Sequence, residues 1–132
     1  MKQYIAGFLD ADGSVSMTPK GQISVQFYNA DIDILKSIQN LYGGQLKTRE
    51  SEDKNHNTAY VLVCKYNRAY NLLKDVCSYM IHNKKKRRAS LIVKYYKEYT
   101  PRNGKYTPEL LKKKKWLIKE VKGILMRGEG AY

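Results

Sequence analysis

Twice along this chain a helical spacing of apolar residues gives way to a pair of stretches with period two, and this alternation limits the fold more than any other feature. A helix repeats its faces every 3.6 residues and a strand every two, so each switch of period marks an element boundary. Lys2 to Ala11 reads as a short helix, which Gly13 is expected to end through a left-handed residue. Ser14 to Thr18 and Gln22 to Tyr28 both interleave polar and apolar residues, and Pro19-Lys20-Gly21 between them is turn chemistry, so a hairpin follows with Val15, Met17, Ile23, Val25 and Phe27 toward the core. Asp31 or Asp33 then caps a helix whose Ile34, Leu35, Ile38, Leu41 and Tyr42 recur at helical spacing until Gly43-Gly44 stops it.

The second unit repeats the first. Gln45 to Arg49 and Ala59 to Lys65 make another hairpin, joined through an exposed polar loop at 50–58. A third helix starts at Asn67 or Arg68 and lines up Ala69, Leu72, Leu73, Val76 and Met80. The run Lys84-Lys85-Lys86-Arg87-Arg88 leads into an amphipathic helix from Ala89 to Tyr96. After the loop 100–104, Thr107-Pro108-Glu109 starts a last helix with Leu110, Leu117, Val121, Ile124 and Leu125 as its packing stripe, and 128–132 is expected to fray. The fold class is α+β, in the order αββαββα with additional C-terminal helices. One domain over 1–132 is expected, with a core over about 1–99 and the last helix at about 107–126.

Charge narrows the partner. The 25 Lys and Arg against 12 Asp and Glu leave +13, in a chain whose 42% hydrophobic content is too apolar for a disordered basic tail, so a polyanion is implied. No apolar stretch is long enough to span a bilayer, and no lipidation site accompanies the charge, so no membrane partner is expected. Asp10 and Asp12 stand where a signal peptide would need its apolar core, and Cys64 and Cys77 form neither a zinc spacing nor a disulfide framework. An intracellular setting is expected, with organelle, nucleus and prokaryotic cytoplasm not distinguished.

The chemistry sits at the end of the first helix. Asp10 and Asp12 add negative charge where the macrodipole is already negative, at a cost of about 0.3–1 kcal/mol each unless a cation answers them. An isolated Asp-x-Asp-Gly more often only closes a turn. For two neighbouring carboxylates with free main-chain carbonyls, the simplest answering cation is a hard, oxygen-preferring divalent ion such as Mg²⁺. Gly7 and Ala11, four apart, stack on one face and let another backbone approach closely. If that backbone is the same helix of a second copy, a two-fold axis brings two Asp12 carboxylates together.

Ile5-Ala6-Gly7-Phe8-Leu9-Asp10-Ala11-Asp12-Gly13 closely resembles the signature of the LAGLIDADG homing endonucleases, departing only by apolar-for-apolar exchanges at Ile5, Phe8 and Leu9. Tyr4, Ser14-Val15, the Asn29-Ala30-Asp31 to Gly43-Gly44 stretch, and the basic run ending in Ala89 extend the resemblance over nearly the whole chain. It implies a saddle-shaped antiparallel sheet. With one signature copy it also implies a homodimer, making a Mg²⁺-dependent double-strand break in a long, nearly palindromic DNA site, with Mn²⁺ able to stand in. Asp12 and the Ala11 carbonyl are the implied metal ligands and Asp10 is structural. Asn29 matches the polar position that orients water, with a shorter side chain than the usual Gln. The catalytic lysine maps to Lys85, with Lys84 as the alternative register.

On the sheet, parity places Ser16, Thr18 and Lys20, then Gln22, Ser24, Gln26 and Tyr28, then Lys47 and Arg49, where side chains can read base edges of duplex DNA in the major groove. Tyr60 is left open to either face. Lys112 to Lys115 cannot all point one way on a helix, so some are expected at phosphates and others only in water. The resemblance also implies an alternative: a maturase that binds its own group I intron RNA and assists its splicing.

Overall fold

The computed structural model describes residues 1–49 and 59–124, apart from the side chain of Arg49. The elements follow the expected order: α1 (Lys2–Asp12), β1 (Gly13–Met17), β2 (Ile23–Asn29), α2 (Ile32–Tyr42), β3 (Gln45–Arg49), β4 (Ala59–Lys65), α3 (Asn67–Val76), a 3₁₀ turn (Cys77–Tyr79), α4 (Asn83–Tyr95) and α5 (Pro108–Gly123). The four strands form one open antiparallel sheet in the order β1-β2-β4-β3, with Val15 opposite Val25, Val25 opposite Cys64 and Leu46 opposite Leu62. That register aligns Val15, Val25, Phe27, Leu62 and Cys64 on one face, and the helices cover it with Ile5, Leu9, Leu35, Ile38, Leu72, Leu73, Ile92 and Leu117, all buried. Among the described residues no helix covers the opposite face, which is largely polar apart from Val61 and Val63, as antiparallel sheets allow.

Local chemistry explains the boundaries. Asp31 caps α2 by accepting from the Asp33 amide at 2.9 Å, and Gly43 leaves it at φ 77. Thr107 caps α5 by accepting from the Leu110 amide at 3.1 Å, with Pro108 in the first turn. Gly13 departs from its expected role. Its φ of −117 and ψ of 177 are extended, so it does not turn the chain through a left-handed residue but begins β1 directly. Glycine is needed there for space, because a Cβ would lie 2.5 Å from Leu9 Cδ1 and 2.9 Å from the Gln26 carbonyl oxygen.

Other expectations are corrected. Leu41 does not join the packing stripe of α2 and is 57% exposed. The basic run does not precede α4 but forms its first turns, from Asn83, with His82 Nδ1 accepting from the Lys85 amide at 3.3 Å. Cations near a helix N-terminus oppose the macrodipole, which is why the run reads as a lead-in. Arg88 is offset by turning inward: buried, it donates from Nε to the Ile124 carbonyl at 2.9 Å and from Nη1 to the Val15 carbonyl at 2.9 Å, tying α4 to the end of α5 and to edge strand β1. The expected loop at 50–58, the fraying at 128–132 and the Leu125 contact lie outside the described residues.

Lys114 does neither of the two things expected of the α5 lysines, which were to reach phosphate or water. It is 3% exposed, donates to the Thr100 hydroxyl, and places its ammonium 4.4 Å from the centre of the Tyr96 ring. Burial pulls its pKa from 10.5 down to about 8. The folded chain therefore releases this proton more readily than the unfolded one, and charging the amine opposes folding. Relative to Lys114→Met, the native protein is expected to be less stable at pH 7, and the gap should close as pH rises from about 8 to 10.5, in paired urea titrations.

Candidate functional site

Three segments meet at the C-terminal end of α1. Lys85, one turn into α4, directs its ammonium at the last carbonyls of α1, donating to Asp10 O at 2.7 Å and Leu9 O at 3.2 Å. Asp10 Oδ2 accepts from the Ile81 amide at 2.7 Å, pinning the segment that leads into α4, while its Oδ1 is buried without a hydrogen bond. Burial lowers the Lys85 pKa, and the charges of Asp10 and Asp12 act against that fall. The structure thus brings Lys85 to this point and leaves Lys84 exposed. The negative helix end is answered by a cation of the chain itself.

Asp12 differs from Asp10. It closes α1 as an exposed carboxylate, and among the described residues it makes no hydrogen bond or ion pair. With Gln3, Tyr4, Gly7, Phe8 and Asn29 it lines an open groove of about 390 Å³. Asn29 stands at the end of β2 on the helix-side parity of Phe27, and its Oδ1 accepts from the Asp31 amide at 2.8 Å. That bond orients the side chain. Along the same groove Gly7 and Ala11 are exposed, Tyr4 is 53% exposed, and a Cβ on Gly7 would meet nothing within 4 Å.

The donor set suits a hard divalent ion: an unpaired carboxylate at a helix end rich in carbonyl oxygens. It is also incomplete. Among the described residues no group of three or more His, Cys, Asp or Glu side chains could hold a metal ion. One chain offers Asp12 with the Ala11 carbonyl beside it, and nothing more of that kind.

The open face of the sheet carries the other expected residues. Register places Ser16 opposite Ser24, Gln26 opposite Val63, Tyr28 opposite Val61, and Lys47 opposite Val61 from the other side. Arg49 ends β3 in the same parity. The Tyr28 hydroxyl donates to Gln26 Oε1, leaving the Gln26 amide hydrogens to point outward in a fixed orientation. Ser24 is an exception to the expected exposure. It is 9% exposed, with its hydroxyl unpartnered under its neighbours. Thr18 accepts from the Gln22 amide at 3.1 Å, so these two close the hairpin while Lys20 is exposed at its tip. Tyr60 resolves to the helix side, in register with Asn29. Ser14, Gln45 and Lys65 join the open face unforeseen. Ser14 and Gln45 share the parity of Ser16 and Lys47 within their own strands, whereas Lys65 is assigned only by the register of β4 against β2.

Residues 1–77 match the LAGLIDADG-like domain family. The chain belongs to that family. No curated protein sequence matches it. Among solved structures it is similar to the homing endonuclease I-CvuI bound to a DNA target in the presence of Mg, with a TM-score of 0.72 and 21% identity over 99% of this chain and 85% of that one. The archaeal intron-encoded homing endonuclease I-Vdi141I complexed with DNA gives 0.56 and 20% over 99% and 87%. I-LtrWI bound to target DNA gives 0.59 and 22% over 91% of this chain but only 43% of that one. At these identities the likeness establishes the shared fold.

The two lysine registers separate in stability. Lys85→Met leaves the Asp10 carbonyl without this donor and the Leu9 carbonyl with only the Gly13 amide, and is expected to cost about 1–3 kcal/mol, whereas exposed Lys84→Met should stay within about 0.5 kcal/mol, as read from urea midpoints.

Proposed function

We propose that this chain is a site-specific DNA endonuclease acting as a homodimer, with α1 as the helix shared across the two-fold axis. The observation that carries this reading is the Asp12 carboxylate, exposed and unpaired at the foot of an α1 face that has Gly7 and Ala11 uncovered. A structurally finished helix end would not leave an acid there without a partner. Pairing two copies along the Gly7 and Ala11 face supplies the second carboxylate that one chain lacks. Similarity to DNA-bound homing endonucleases, one crystallised with Mg and another complex of I-CvuI with Ca, supports the substrate class and a divalent ion.

Asp12 and the Ala11 carbonyl would hold Mg²⁺ or Mn²⁺, which supplies charge neutralisation at the phosphate and lowers the pKa of bound water. The chain's own groups do the rest. Lys85 places a positive charge beside the scissile region without being neutralised by a direct salt bridge, where it can stabilise negative charge developing on the phosphate or leaving oxygen. Asn29, held through Asp31, turns an amide toward the groove and orients water there. On the open face Ser16, Thr18, Lys20, Gln22, Gln26, Tyr28 and Lys47 face the major groove, with Ser24 beneath them and Arg49 at the same strand parity at the end of β3. Gln26 is suited to adenine, Lys47 or Arg49 to guanine, and the half-buried Val61 side chain to a thymine methyl.

Asp12→Asn is expected to keep the fold and duplex binding while abolishing cleavage of a plasmid library carrying random duplex sites, with Mg²⁺ present. Solution mass should give two chains. Loss of binding together with cleavage, or a monomer that still cuts both strands, would refute the shared site.

A further inference from the structure

A cavity of about 630 Å³ lies between the start of α3 and the segment that follows α4. Tyr66 at its wall fixes its place in the fold, because the Tyr66 amide donates to the Ile23 carbonyl at 3.2 Å, next to the pairing of Ser24 with Lys65. Asn29 and Asp12 stand at the other end of the sheet. From Ile23 to Asn29 the strand runs about 20 Å at the usual rise per residue, so this cavity is separate from the groove beside Asp12.

Its electrostatics are one-sided. Lys97 and Arg102 line it and no Asp or Glu does. The Lys97 ammonium is held 4.6 Å from the centre of the Tyr70 ring, and that ring stacks on Tyr96 at 6.2 Å. Lys114 adds a third charge from behind the wall, since the ring and the hydroxyl it meets belong to Tyr96 and Thr100, both of which line the cavity. Among the described residues none of these three cations pairs with a carboxylate. For buried Lys114 that is costly, and an anion within reach offsets the cost. Thr100 passes the charge on: its oxygen accepts from Lys114, so its own proton is free to be donated into the cavity. The first turn of α3 adds amide donors at the same wall, because Tyr66 gives it no side-chain cap and Asn67 lines the cavity.

Charge and volume select the ligand. Three cations suit a dianion, and a phosphate monoester carries about −1.5 to −2 at pH 7 with three acceptor oxygens, whereas each backbone phosphate of a duplex is a diester with a single charge. The volume falls within the range of about 300–1,000 Å³ usual for small-molecule sites and exceeds what a bare phosphate fills. Tyr66, 50% exposed, leaves a ring at the cavity for an organic group.

We propose that this cavity binds a small phosphate monoester of mononucleotide size, with Lys97, Arg102 and Thr100 on the phosphate and Tyr66 against the organic part. The probe is adenosine 5′-monophosphate, titrated calorimetrically into the full-length protein. One molecule should bind per chain, with inorganic phosphate competing more weakly and both adenosine and dimethyl phosphate binding weaker by about tenfold or more. Lys97→Met and Arg102→Met, at exposed positions, should each weaken the nucleotide about tenfold and leave cleavage of the duplex library unchanged. The nucleotide should stay bound when a saturating random-sequence duplex is added. Inorganic phosphate, adenosine or dimethyl phosphate binding as tightly as the nucleotide, full affinity in both variants, or displacement by the duplex would overturn the proposal. Because the calorimetric signal needs no cleavage, metal or second chain, its failure is distinct from failure of the nuclease reading.

Discussion

The ammonium of Lys85 against the carbonyls of Leu9 and Asp10 is the contact on which the rest of the arrangement depends. It answers the negative end of α1 with a positive charge from a segment more than seventy residues away, and it does so where the chain turns straight into β1. The Asp10 bond to the Ile81 amide fixes the approach to α4, so the helix end, the strand start and the basic helix become one junction. Gly13 keeps that junction close, since any side chain there would press on Leu9 and the Gln26 carbonyl. Asp12 is left outside the junction, adjacent to the compensated helix end but not itself compensated.

The order of elements was legible because it depends on patterns local in sequence. Period-two stretches at Val15 to Phe27, capping by Asp31 and Thr107, and the glycine pair after Tyr42 each declare themselves within a few residues. Tertiary pairing was less legible. Arg88 and Lys114 lie in lysine- and arginine-rich runs where nothing nearby in sequence marks them as buried, yet both turn inward because carbonyls of Val15 and Ile124, or the Thr100 hydroxyl and the Tyr96 ring, meet them there. Leu41 shows the converse, an apolar residue at helical spacing that nothing covers. For the candidate site, the signature placed Asp10, Asp12, Gly7 and Ala11. The choice between Lys84 and Lys85 depended on where α4 begins, and that start was hidden by cations lying against the helix dipole.

Parity on the sheet has the same character. Alternation within β2 assigned Gln26 and Tyr28 to the open face, but the covering of Ser24 and the addition of Lys65 depend on which strand lies beside which. The strand order β1-β2-β4-β3 puts β4 inside the sheet, where Val61 stays half-buried on the open-face parity and Val63, 7% exposed, is covered by its neighbours as Ser24 is.

The division of charge between α1 and the later helices follows from the same geometry. If a second copy covered the Gly7 and Ala11 face, each Asp12 would gain a like charge as neighbour, and two carboxylates brought close repel unless protonated or bridged by a cation. Lys85 is already committed to the carbonyls of its own α1 and is only partly free to offset them. The symmetric pair is therefore stabilised by a divalent ion or strained without one, so metal affinity and association become linked quantities. The uncovered helix face and the unpaired acid are then two expressions of one incompleteness, which a single chain cannot resolve by repacking because its own cation is already engaged on the other side of the helix end.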